Sequence, residues 1–134
     1  MINATASWTD QDRFVAQASS GHALVVDAGQ NKTASSPVEL VLIGLCACTA
    51  YDVVSILRKK REPFTGLEVS AEGERATEQP AVYTNIRLVY RVNGKVSRKA
   101  VEDAVRLSEE KYCSVAAMLN KVAKITWNIE LDEK

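Results

Sequence analysis

Apolar and polar residues alternate with a period of two in some stretches of this chain and recur with a helical period in others. Leu67, Val69 and Ala71 alternate with Glu68, Ser70 and Glu72, so residues 67–75 are predicted to form a strand with one polar face. Residues 82–92 repeat the pattern, with Ile86, Leu88 and Tyr90 set against Arg87, Val89 and Arg91, and Asn93-Gly94 follows as a turn signal. Three shorter strands are predicted before them, at residues 4–8, 13–18 and 22–27, separated by the turn-rich stretches 9–12 and 19–21. Residues 28–36, rich in Gly, Asn, Lys and Ser, read as a loop.

A long helix is predicted from Ser36. Serine is a good N-cap, Pro37 suits the first helical position, and Glu39 completes a Ser-x-x-Glu capping box. The helix should run to about Lys60, where Pro63 stops it. Its first four turns are apolar on every side, the pattern of a helix surrounded by protein. Residues 97–110 are amphipathic, with Val101, Ala104 and Val105 at helical spacing. Residues 113–122 read as another helix and 124–131 as a closing strand. The expected order is βββ-α-ββ-α-α-β, an α+β fold with an antiparallel sheet, in one domain spanning 1–134.

Composition narrows the function. Lysine plus arginine equals aspartate plus glutamate at 17 each. Zero net charge argues against a nucleic-acid footprint, which needs a basic excess. The basic run Arg58-Lys59-Lys60-Arg61 closes a helix, where cations suit the negative end of the dipole. Residues 40–51 form an uncharged run of 12, short of the roughly 20 needed for a bilayer. With no basic-then-apolar leader at Met1-Ile2-Asn3-Ala4, the expected setting is the cytoplasm, without a membrane partner.

Three cysteines carry the candidate chemistry. Cys48 lies in the apolar helix, where burial makes a thiol harder to ionise and inert packing is the plain alternative. Asp52, one turn on, shares its face. Cys113 stands where a helix restarts, beside Lys111 and Tyr112; exposed N–H groups there favour a thiolate. Cys46 points to a different face from Cys48 and reads as core filler. His22 is the single histidine and a structural role is its default. Paired ligand spacing is absent, so no metal is expected, and no glycine loop or dinucleotide fingerprint implies a cofactor.

Several segments resemble the OsmC/Ohr family, in particular its YhfA-like branch. They are Ser36-Pro37-Val38-Glu39-Leu40, Gly44, Cys48-Thr49-Ala50-Tyr51-Asp52-Val53-Val54, the Ser20-Gly21-His22 element, the run 52–57, and 107–115 with Lys111-Tyr112-Cys113-Ser114-Val115. The resemblance implies an intertwined homodimer with the long helices buried between subunits and two sites at the interface. It also implies reduction of organic hydroperoxides, with Cys48 attacking, Cys113 resolving, and an external thiol reductant restoring both. Glu39, Asp52, His22 and Tyr112 are the further candidates for the pocket or for activation.

The chain departs from the peroxidase pattern that the resemblance implies. That pattern has an early-loop arginine beside the first cysteine and a glutamate directly after the proline to orient it. Here Val38 follows Pro37, and Glu39 comes one position later, about 100° around the helix. The loop 28–36 has no arginine, and Arg13 is the only arginine before the helix. His22, Lys111 and the helix terminus at Cys113 are the candidate replacements. Two other readings stand beside the redox one: a small-molecule binding or sensing protein taking an apolar ligand, and a structural protein whose cysteines only pack.

Overall fold

A computed structural model describes all residues, Met1–Lys134. The chain forms two compact units, Met1–Val41 and Leu42–Lys134. In the first, β1 (Ala4–Asp10), β2 (Arg13–Ala18) and β3 (Ala23–Asp27) make an antiparallel meander in that order. Register pairs Phe14 with Trp8 on one side and with Val26 on the other. The strands fall where alternation and turn residues predict them, with β1 two residues longer.

The loop after β3 is organised by Asp27. Its carboxylate accepts from the backbone N–H of Gly29 and of Thr33, both at 2.9 Å, and from the Thr33 hydroxyl at 2.7 Å. These donors favour the ionised form and hold the Asp27 pKa at about 2, against roughly 3.9 unfolded. A depressed folded pKa gives stability that is fully present above the unfolded value and is lost as pH falls through the folded one. The thermal midpoint should therefore drop between about pH 4 and pH 2, and Asp27→Asn should flatten that part of the profile. A wild-type midpoint unchanged down to pH 2 would contradict this account of the loop.

Helix α1 (Pro37–Lys59) begins with the expected capping box: Glu39 accepts from the Ser36 N–H at 2.8 Å, and the Glu39 N–H donates to Ser36 Oγ at 3.3 Å. The helix is longer than its uncharged run suggests, and by length and composition it is apolar enough to cross a membrane. One stripe is fully buried in the second unit: Leu45, Thr49, Val53 and Leu57, each four residues from the last. The other faces are partly exposed, and only 22% of the most apolar window is buried. Ile43 is 52% exposed and Tyr51 72%. The expectation of a helix surrounded by protein thus holds for one face within a single copy.

In the second unit β4 (Phe64–Arg75), β5 (Tyr83–Gly94) and β6 (Lys124–Asp132) form a sheet with β5 in the middle. Strands β4 and β5 are antiparallel, but β6 runs parallel to β5, so the expectation of a wholly antiparallel sheet is corrected here. The reason is the connection. Two helices lie between β5 and β6, and such a crossover returns the chain in the same direction. Ile86, Leu88, Tyr90 and Val92 turn inward from β5, while Arg87 and Arg91 face solvent and pair with Glu74, Glu68 and Glu130.

Helix α2 (Arg98–Leu107) is capped by Ser97, whose Oγ accepts from the Ala100 N–H at 3.2 Å. It buries Ala100, Val101, Ala104 and Val105. The expected continuation to residue 110 does not hold as α-helix. Residues Ser108–Tyr112 form a π-turn, closed by the Cys113 N–H on the Ser108 carbonyl at 2.8 Å. Helix α3 (Ser114–Leu119) follows, shorter than expected, with Cys113 as its cap. Wide turns of this kind often mark functional sites.

Candidate active site

The second unit brings Cys48 and Cys113 into hydrogen-bonding contact, both as free thiols. Helix α1 supplies Cys48 from the edge of its buried stripe, and the π-turn delivers Cys113 from the far side of the crossover. Cys48 is half-buried, whereas Cys113 is 3% exposed. The Ala116 N–H donates to Cys113 Sγ at 3.3 Å, an interaction that favours a thiolate. Burial outweighs it and pushes the Cys113 thiol up to about 12; its contact with Cys48 and negative charge on Cys48 or Glu109 act the same way. The helix terminus therefore does not activate Cys113, contrary to the sequence expectation, because a single N–H does not offset the loss of water.

Beside the thiols lies a buried polar series. Thr49 Oγ1 is 2.6 Å from Tyr90 Oη and 2.7 Å from Ser108 Oγ. Ser108 Oγ donates to Asp52 Oδ2 at 2.8 Å, and Tyr90 Oη lies 2.7 Å from Glu109 Oε1. Burial raises the Tyr90 phenol strongly, with the Glu109 charge adding to it. Burial also raises the Glu109 carboxyl; hydrogen bonds from Tyr90 and Thr49 oppose this, and the Asp52 charge supports it. No buried side-chain oxygen or nitrogen in the unit is left without a partner.

The remaining candidates are dispersed. Asp52 belongs to the polar series and also lines an open cavity of about 550 Å³, together with Ile56, Leu107, Tyr112, Lys59 and Lys60. The Lys111 Nζ sits 5.3 Å from the centre of the Tyr112 ring. Cys46 lines a separate apolar groove with Leu42, Ala47, Val69 and Ala71, and burial raises its thiol. In the first unit, Glu39 is engaged by the capping box, His22 is exposed between β2 and β3, and the Arg13 guanidinium is bound by Asp10 at 2.6 Å.

Sequence reasoning passed over Thr49, Tyr90, Ser108 and Glu109. A signal was present for three of them. Thr49, Tyr90 and Ser108 are hydroxyl-bearing residues at positions where the local period calls for an apolar side chain. A buried hydroxyl needs a partner, so three on inward faces point to one another.

Comparison with known proteins agrees with this architecture. The OsmC-like protein family model matches residues 29–128. Protein YhfA of Escherichia coli (strain K12) is 40% identical over 97% of this chain and 98% of its own. The crystal structure of a hypothetical protein from Aquifex aeolicus VF5 is 32% identical, with a TM-score of 0.86 over 99% of this chain and 98% of that one. The fold also matches an organic hydroperoxide resistance protein from Elizabethkingia anophelis, with a TM-score of 0.77 at 14% identity, covering 98% of this chain and 96% of that one. With its element order and its paired Cys48 and Cys113 motifs, this chain belongs to the OsmC-like protein family.

Proposed function

We propose that this protein is a two-thiol redox enzyme that reduces organic hydroperoxides, with Cys48 as the attacking thiol and Cys113 as the resolving one. The contact between the two thiols carries the reading. The roles follow from their surroundings. Cys113 is buried and held protonated, so it is poorly suited to meet a substrate as a thiolate. Cys48 is the more accessible of the pair.

Attack of the Cys48 sulfur on the outer peroxide oxygen breaks the O–O bond, releases an alcohol and leaves a sulfenic acid. Cys113 then displaces that hydroxyl as water and forms the disulfide. Two equivalents of an external thiol return both residues to thiols by exchange. Membership in a family with a hydroperoxide-resistance protein among its structural neighbours supports this chemistry. The open faces of α1 support the homodimer that the family resemblance implies, since exposed apolar surface of this kind calls for a partner.

One equivalent of an organic hydroperoxide should consume two thiols per chain and give a Cys48–Cys113 disulfide, with Cys46 remaining alkylatable. Peptide mapping by mass spectrometry checks this. A disulfide involving Cys46, or no thiol loss, would overturn the reading. A second reading, a binding protein for a small ligand with an apolar body, is favoured by the 550 Å³ cavity and by Arg13 being occupied by Asp10. It becomes the better account if hydroperoxide leaves all thiols intact.

A further inference from the structure

Four short oxygen–oxygen contacts run in series from Asp52 through Ser108, Thr49 and Tyr90 to Glu109, at 2.8, 2.7, 2.6 and 2.7 Å. Each needs a hydrogen between its oxygens. The three hydroxyls carry one hydrogen each. Three hydrogens cannot fill four contacts, so with both carboxyls ionised Thr49 would face a buried oxygen with nothing between. Thr49 also approaches the Glu109 carboxyl, which deepens the shortage. One carboxylic proton closes the count. With it on Glu109, the series runs head to tail: Glu109 donates to Tyr90, Tyr90 to Thr49, Thr49 to Ser108 and Ser108 to Asp52.

The two ends differ. Glu109 is the end whose carboxyl burial pushes up, in contact with Tyr90 from β5 at 2.7 Å. Asp52 is the end that opens on the cavity. We propose that these five side chains form a proton-sharing chain that holds one carboxylic proton.

Infrared difference spectroscopy reads the shared proton directly in the reduced wild-type protein. The expected result at pH 7 is a protonated-carboxyl band that shifts in D2O and is lost in Glu109→Gln. No such band in the wild type, or one that survives both Glu109→Gln and Asp52→Asn, would overturn the proposal. The measurement uses no hydroperoxide, so a band in a protein that consumes no hydroperoxide would keep the chain and discard the peroxidase reading.

Discussion

Cys48→Ser should reduce hydroperoxide consumption to the rate of the buffer alone, whereas Cys113→Ser should still complete the first turnover. The asymmetry follows from burial. A serine hydroxyl at position 48 cannot replace the sulfur nucleophile, and Cys113, 3% exposed and pushed up to about 12, is poorly placed to take over. In Cys113→Ser the sulfenic acid at Cys48 has no resolving partner, so it should persist and be trapped by a 1,3-diketone reagent. Repeated turnover should then stall while the first equivalent is reduced at a rate close to wild type. Mass spectrometry of the trapped adduct with single-turnover kinetics gives the answer. Multiple turnovers in Cys48→Ser would move the chemistry elsewhere.

Leu45→Ala should cost about 2–5 kcal/mol of folding stability, a large part of the roughly 5–15 kcal/mol a domain possesses. Leu45 is fully buried one turn before Thr49, so its removal leaves a cavity under the polar series. Ile43, two residues earlier, is 52% exposed within one copy. Ile43→Ala should change the stability of a lone chain by no more than about 0.5 kcal/mol. If a second copy covers that face, the loss becomes larger and depends on protein concentration. Urea midpoints at two concentrations separate the cases. A Leu45→Ala midpoint equal to wild type would mean the buried stripe is wrongly placed.

Much of the fold was legible because each element carried its own local signal. The α1 capping box needs only Ser36, Pro37 and Glu39, and the alternation in β5 states which side chains turn inward. The parallel placement of β6 was not legible, since direction depends on how the crossover packs and no residue of 124–132 encodes it. The π-turn was hidden for a similar reason: Leu107-Ser108-Glu109 continues a helical pattern, and only the tertiary contacts of Ser108 and Cys113 widen it. The Cys48 and Cys113 motifs pointed to two thiols that the fold brings into contact. The upward shift of the Cys113 thiol was not legible, because position at a helix start is visible in sequence and desolvation is not. Glu109 looked like one more surface acid until Tyr90 and Thr49 enclosed it.

The parallel pairing of β5 with β6 has a kinetic side. The β4–β5 hairpin joins strands that are neighbours along the chain, but Arg91 meets Glu130, 39 positions further on. Thr49 and Ser108 are 59 apart. Loop closure on that scale has to precede any reward from contact, so these pairings belong to the slow part of folding. Until β6 docks, one edge of β5 is bare and open to strand addition by another chain. In the same interval Cys48 and Cys113, 65 positions apart in the chain, have not yet been brought together. The meeting of the two cysteines and the covering of the vulnerable strand edge therefore both wait on the closing of the α2–α3 crossover.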